Sequence, residues 1–97
     1  MKPSLALRAA AERDLRQIAE YSLATHGKTA KDAYLGDLGR ALDRLIEFPK
    51  IGAVRDDLNG GPRCLSCREH LIFYSYANNH ISVLRILHNA MDVGQRL

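Results

Sequence analysis

The segment Ile81-Ser82-Val83-Leu84-Arg85-Ile86-Leu87-His88 is the stretch of this chain that most strongly predicts the fold. Its β-branched and aliphatic residues are typical of a strand inside a sheet. Because side chains alternate along a strand, Arg85 is expected on the same face as Ile81 and Val83, with His88 on the opposite face. A permanent positive charge therefore interrupts an apolar stripe.

The charge on Arg85 needs a partner. An arginine cannot lose its proton, and an unpaired buried guanidinium is strongly destabilising. The side chain must meet a carboxylate, a group of carbonyls, water or an anionic ligand. Pairing within the fold is favoured, and binding of a phosphate or of a partner's carboxylate is the alternative.

Further strands are predicted before this segment and at the N-terminus of the chain. Residues 70–76 are aliphatic and aromatic, residues 63–66 form a shorter candidate, and Asn78-Asn79 suits a hairpin turn because asparagine tolerates positive φ. Alternating leucines over residues 5–8 predict a short N-terminal strand. Residues 49–62, rich in glycine and proline, are expected to form a loop.

Two helices are predicted between the N-terminal strand and this loop. Apolar residues recur at helical spacing over residues 10–24 and 29–48, the break at His26-Gly27 ends the first helix, and Thr29 is the expected N-cap of the second. The expected class is α+β: an N-terminal strand, an α-helical hairpin, and a three-stranded antiparallel sheet packed against the helices.

Length and composition limit the class of protein. Ninety-seven residues predict one domain, residues 1–97. The net charge of +3 is weaker than the dense basic patch of a dedicated nucleic-acid binder and suits an acidic protein partner about equally well. No apolar run is long enough for a membrane span or a signal peptide, which predicts a soluble cytoplasmic protein with no membrane partner.

Two constellations carry possible chemistry. Cys64, Cys67 and His70 have a C-x-x-C-x-x-H spacing, but no second close pair of ligands completes a zinc site, so we expect no metal and no cofactor. Arg63, Arg85 and several histidines could form a cationic surface of the kind that metal-free ribonucleases use. Packing of the neighbouring aromatic residues in the core is the favoured alternative.

The order of residues along the chain resembles the ParE branch of the ParE/RelE superfamily, small bacterial toxins of type II toxin-antitoxin systems. The resemblance covers nearly the whole chain. The matching residues are Ala11, Asp14-Leu15, Ile18 and Tyr21; His26-Gly27; Ala33-Tyr34 and Leu38 to Leu45; Pro49 and Ile51-Gly52; Asp57-Leu58, Gly61 and Arg63; His70 and Ile72-Phe73-Tyr74; and Ile81, Val83 to His88 and Met91-Asp92.

The resemblance implies a ParE/RelE-like fold and a toxin that poisons DNA gyrase, with replication block, DNA damage and a role in plasmid stabilisation. It assigns no catalytic residue, and it makes Arg63, Arg85 and His88 candidate contacts to the target or a partner. The RelE relatives instead cut mRNA with basic residues and a C-terminal tyrosine, whereas this chain has no tyrosine after Tyr76. We therefore expect a binding protein rather than a nuclease. RelE-type mRNA cleavage, or a fold that has lost toxicity, is the alternative.

The resemblance also implies a partner. A ParD-like antitoxin binds DNA through its dimeric ribbon-helix-helix end and wraps the toxin with its C-terminal segment, so the expected assembly is a hetero-oligomer that meets DNA only through the antitoxin. A groove along the helical hairpin and the adjoining sheet edge fits such a segment. Tyr34, Gly36 and Gly39 are its candidate residues. Each glycine costs the helix about 1 kcal/mol, which indicates close helix packing or the approach of another backbone.

Overall fold

The computed structural model describes residues 1–97 and confirms the α+β class. The elements, in chain order, are β1 (Ser4–Leu7), α1 (Ala9–His26), α2 (Lys28–Glu47), β2 (Ala53–Val54), β3 (Arg63–Cys67), β4 (His70–Ala77), β5 (His80–His88) and α3 (Val93–Arg96). None of the helices is long and apolar enough to cross a membrane.

The sheet is larger than the sequence predicts. Its five strands run in the order β1-β5-β4-β3-β2, with β1 parallel to β5 and the other neighbours antiparallel. The three strands predicted after the loop are present and antiparallel, as β3, β4 and β5, but β2 and the parallel strand β1 extend the sheet beyond the predicted three strands. Strand β2 has only two residues and lies within the predicted loop, so it leaves no periodic pattern. The pairing of Ser4 with His80 joins distant parts of the chain that no local signal connects.

The two helices are joined by a single residue. Gly27, with φ of 88°, ends α1 by donating its N–H to the carbonyl of Leu23, and it also precedes the first residue of α2. Glycine adopts this positive φ without a steric penalty. The prediction that Thr29 caps α2 is wrong, because the helix begins at Lys28 and Thr29 already lies in its first turn.

The core lies between the helical hairpin and one face of the sheet. Four helix residues pack on five strand residues: Ala11, Leu38, Ala41 and Leu45 on Ile72, Tyr74, Ile81, Val83 and Ile86. The buried hydroxyl of Tyr74 donates to the carbonyl of Pro49 at 2.8 Å and accepts the N–H of Gly52 at 2.9 Å. A Cβ at Gly52 would come within 2.7 Å of the Tyr74 ring, so this close approach requires glycine.

A β-bulge in β5 changes the faces that simple alternation predicts. Tyr74 pairs with Val83, but Phe73 pairs with Arg85, which leaves Leu84 as the extra residue. Ile86, rather than Arg85, consequently joins Val83 in the core. The predicted face of Arg85 is wrong, because a single inserted residue reverses the alternation that follows it.

Candidate functional site

A cavity of about 970 Å³, here called the hairpin–sheet groove, opens between the helical hairpin and the second half of β5. Strand β1 ends at Leu7, opposite Val83, so the rest of β5 has no strand beside it on that edge. The residues that matter most to its chemistry are Asp14 of α1, Tyr34 of α2, Glu69, His70 of β4, Arg85 and His88 of β5, and Arg96 of α3.

Arg85 and Asp14 form an ion pair at the base of the groove. Nε and Nη2 of Arg85 donate to the two carboxylate oxygens of Asp14 at 2.8 and 3.0 Å, and the backbone N–H of Ile86 donates to the same carboxylate at 2.9 Å. The hydrogen bond with Asp14 raises the pKa of Arg85, so its charge is permanent. Asp14 thus accepts the hydrogen bond of a β5 backbone N–H that has no strand partner, because β1 has already ended.

The remaining donor of Arg85 holds the end of the chain. Nη1 donates to the carbonyl oxygen of Arg96 at 2.7 Å, in the short helix α3. One guanidinium therefore connects α1, β5 and α3. Arg85 therefore binds a carboxylate and a backbone carbonyl, and either kind of group can compensate its charge.

Each of the two histidines at the centre of the groove has a hydrogen-bond partner at Nδ1. The N–H of Glu69 donates to the hydroxyl oxygen of Tyr34 at 3.2 Å, and that oxygen lies 2.5 Å from Nδ1 of His70. Because the oxygen already accepts the Glu69 N–H, we assign the hydroxyl as the donor to Nδ1. Nδ1 of His88 likewise accepts the N–H of Ala90 at 3.0 Å. An imidazole whose Nδ1 accepts a hydrogen bond is neutral and carries its hydrogen on Nε2. Both histidines are therefore in this form.

The surroundings of the His70 imidazole favour its neutral state. Burial lowers the pKa of His70, and the ring of His88, whose centroid is 5.3 Å away, lowers it further. The nearby carboxylates of Glu69 and Asp14 act in the opposite direction but do not outweigh burial. Burial also raises the pKa of the Tyr34 phenol, which keeps its proton available for donation to His70.

Arg63 lies apart from this groove. Its Nη1 donates to the carbonyl oxygens of Gly52 and Lys50, at 2.8 and 3.2 Å, and so attaches β3 to the loop that precedes β2. The structure therefore brings together Arg85 and His88 of the three predicted contact residues, but not Arg63.

The candidate antitoxin residues on α2 are divided between two surfaces. Tyr34 lines the hairpin–sheet groove, whereas Gly39 lies in a smaller apolar depression of about 290 Å³ between α1 and α2, here called the outer seam, which Leu15, Ala19, Leu35 and Leu42 also line. A Cβ at Gly39 would meet nothing within 4 Å, and one at Gly36 would meet only the guanidinium of Arg40, at 3.5 Å. Packing within the chain does not require either glycine.

The cysteine motif does not converge. Cys64 pairs with Phe73 and Cys67 with His70 along the same two strands, and residues three apart on a strand lie on opposite faces. Both thiols are free, and burial raises the pKa of each. The structure contains no group of three or more side chains placed to hold a metal ion.

The sequence model of the family described as "ParE toxin of type II toxin-antitoxin system, parDE" matches residues 5–93. The chain belongs to this ParE family. Toxin ParE1 of Mycobacterium tuberculosis is 35% identical over 89 residues, which are 91% of this chain and 91% of that protein. Toxin ParE3 of Caulobacter vibrioides is 27% identical over 84 residues, 87% of this chain and 84% of that protein.

The fold of this ParE-family chain has a solved counterpart. A chain of the structure described as "Chromosomal ParDE TA system from P. aeruginosa" matches it with a TM-score of 0.78, over 90% of this chain and 96% of that chain, at 21% identity. The likeness at this identity is one of fold. The resemblance inferred from the sequence is confirmed: the chain is a toxin component of a ParDE type II toxin-antitoxin system.

Asp14 and His70 are groove residues whose roles sequence reasoning missed. Asp14 is buried on α1 and lies 71 residues from its partner Arg85. The only available signal was a carboxylate on the inner side of a predicted helix in a chain whose central strand needs a counter-charge. The sequence indicates His70 only as a possible zinc ligand, because its hydrogen bond with Tyr34 spans 36 residues and leaves no local pattern.

Proposed function

We propose that this ParE-family toxin is neutralised by a ParD-type antitoxin whose extended or helical segment binds in the hairpin–sheet groove, and that the free toxin inhibits DNA gyrase by binding, without bond-making chemistry. The hairpin–sheet groove is the observation that carries the proposal. A volume of about 970 Å³ is large enough for several side chains of a bound segment. Because gyrase acts on the chromosome, the proposal places the toxin in the cytoplasm.

The lining of the groove supports an amphipathic, acidic partner. It combines apolar surface from α1 and β5 with three arginines and three histidines, against two carboxylates. A segment that folds on binding gains affinity from apolar burial and orientation from charge complementarity. The structural counterpart comes from a ParDE system, which agrees with a ParD-type partner for this chain. The outer seam offers a second apolar contact, and the exposed backbone at Gly39 permits close approach.

The state of the arginines supports binding rather than RNA cleavage. Stabilising the charge of a phosphorane requires a cation that is free to contact it. Arg85 already bonds Asp14 and the carbonyl of Arg96, and Arg63 already bonds two carbonyls. Neither predicted contact arginine is therefore positioned as a free catalytic cation, whereas both remain able to present their exposed edges to a protein.

Inducible expression in a bacterial host tests the proposal. We expect early arrest of DNA synthesis with a DNA-damage response, suppressed when the neighbouring antitoxin gene is co-expressed, and purified gyrase should accumulate cleaved DNA when the toxin is added. Early translation arrest with cut mRNA would replace gyrase inhibition by RelE-type cleavage. The absence of any arrest, in a chain shown by circular dichroism to be folded, would indicate a toxin fold that has lost toxicity.

A further inference from the structure

One donor in the groove has no partner within the chain. With the Tyr34 hydroxyl assigned as the donor to Nδ1 of His70, the imidazole hydrogen lies on Nε2, and the chain supplies no acceptor for that N–H. The structure contains no fully buried side-chain polar atom without a hydrogen bond, so this N–H reaches the open volume of the groove. An acceptor on a bound molecule is the group that would satisfy it.

The neighbouring imidazole already faces a carboxylate. Nε2 of His88 lies 3.6 Å from Oε2 of Glu69, beyond hydrogen-bond distance, and the Glu69 side chain is 74% exposed. Such a loose, solvated carboxylate is easily displaced. The two imidazoles of the His70–His88 pair line the same groove, with ring centroids 5.3 Å apart.

We propose that the His70–His88 pair is the point at which the groove binds a carboxylate of the antitoxin segment, and that the complex consequently tightens as the pH falls from about 7.5 to about 6. This inference rests on the proposed antitoxin role of the groove. A carboxylate accepting from Nε2 of His70 stabilises the imidazolium form, so binding is accompanied by proton uptake. The proton goes to Nδ1 of His70, and the Tyr34 hydroxyl turns to accept a hydrogen bond from it. Each proton taken up favours the complex at lower pH.

The other charged groups around the pair do not supply this effect. Asp14 is committed to Arg85, Arg68 of the β3–β4 turn is paired with Asp37, and Arg96 carries a permanent charge. Tyr34 of α2 and Cys67 of β3 have raised pKa values, so both stay neutral throughout this pH range.

Two further groups need separate controls. Glu69 is a carboxylate beside the pair and competes with the partner for His88. His26 also lines the groove, at the end of α1, where its ring contacts Tyr21, and His26→Asn measures its separate contribution. His80 lies outside the groove, where it bonds Ser4, and it serves as a matched control for a histidine that is unrelated to binding.

The experiment measures the Kd of the full chain for two synthetic peptides at constant ionic strength and at pH 7.5, 6.7 and 6.0. One peptide copies the C-terminal segment of the ParD-type antitoxin encoded beside the toxin gene, and its twin carries amides in place of the carboxylates. The acidic peptide should bind about tenfold more tightly at the lowest pH, which corresponds to a shift of about one pKa unit on binding. The amide twin should show a flat profile.

Variants assign the effect to the pair. Asparagine at position 70 or 88 keeps an acceptor near the place of Nδ1, so His70→Asn and His88→Asn should flatten the pH profile while the fold is retained. His80→Asn should leave the profile unchanged. Glu69→Gln should tighten binding at every pH, because it removes the internal competitor.

Three results would overturn the inference: a Kd independent of pH, an equal gain for the amide twin, or a profile that survives both groove substitutions. If the asparagine variants do not fold, the imidazole resonances of the unmodified chain decide. The pKa of His70 or His88 should rise when the acidic peptide binds, and unchanged values would reject the inference. Failure of the antitoxin and its peptide to bind at any pH rejects the proposed antitoxin role together with this inference, whereas tight binding with a flat profile rejects the inference alone.

Discussion

Beside β2, Tyr74 bonds two backbone groups and Arg63 bonds two carbonyls, whereas in the hairpin–sheet groove Tyr34 bonds an imidazole and Arg85 bonds a carboxylate. The two regions use the same pair of residue types to connect loops and helices to the sheet. The first buries its tyrosine completely and contains no partner that titrates near neutral pH. The second is open and depends on ionisable partners, so it can respond to a ligand or to pH.

The largest difference in unfolding free energy should come from removing the bonds of the two arginines, through Asp14 for Arg85 in the groove and through Arg63 itself beside β2. Removing one member of a buried ion pair costs about 3 to 5 kcal/mol, and the partial exposure of Arg85 reduces the expected cost of Asp14→Ala to about 2 to 3 kcal/mol. Arg63→Ala removes only bonds to neutral carbonyls and should cost about 1 kcal/mol. Urea denaturation measures both. Asp14→Asn is the control, since it retains an acceptor for Ile86. Equal losses for the two alanine variants would contradict the distinction.

The two tyrosines should also differ in the unfolding free energy that their removal costs. The difference should be smaller than for the arginines, and here the residue beside β2 should cost more than the groove residue. Tyr74→Phe leaves the buried Gly52 N–H and the Pro49 carbonyl without their partner, which should cost about 2 kcal/mol. Tyr34→Phe exposes the N–H of Glu69 to water and should cost about 1 kcal/mol or less. A larger loss for Tyr34→Phe would show that the groove is the more rigid of the two regions.

The outer seam offers a substitution that should be stabilising. Gly39→Ala adds a Cβ into open space in a helix interior and should raise the unfolding free energy by about 0.5 to 1 kcal/mol. The matched control beside β2 is Gly52→Ala, which places a Cβ against Tyr74 and should destabilise the chain. If an antitoxin backbone approaches the seam closely, Gly39→Ala will also weaken the complex, as measured by the toxin's Kd for its antitoxin. If Gly39→Ala instead destabilised the chain, the space beside Gly39 would be shown to be filled by other atoms of the chain.

The smallest expected effect is the pH dependence of the free chain's stability. Because burial lowers the pKa of His70 in the folded state, the unfolded chain binds more protons once the pH falls below about 6.5, and stability declines from there toward the lowered folded pKa. Thermal unfolding between about pH 7.5 and pH 5 measures this decline. His70→Asn should reduce it and His80→Asn should not. Stability that increases on acidification would contradict the assigned neutral state of His70.

The elements of this fold follow from local patterns, whereas its long-range pairings do not. Both main helices, the N-terminal strand and three of the remaining strands were predictable from periodicity and from Gly27, and the need of Arg85 for a partner was evident from its charge. The identity of that partner was not, because Asp14 lies on a helix 71 residues away. The bulge at Leu84 and the two-residue strand β2 also escape a period-2 pattern, since each breaks or barely begins one.

The position of β5 in the sheet has a consequence for synthesis on the ribosome. Strand β1 emerges first, but its only partner is β5, the last of the five strands to be translated. The helical hairpin can form early, because its contacts are local, yet β1 stays unpaired and the groove lacks one wall until β5 is available. Incomplete translation products therefore lack the hairpin–sheet groove, and a nascent chain completes it only after β5 has emerged.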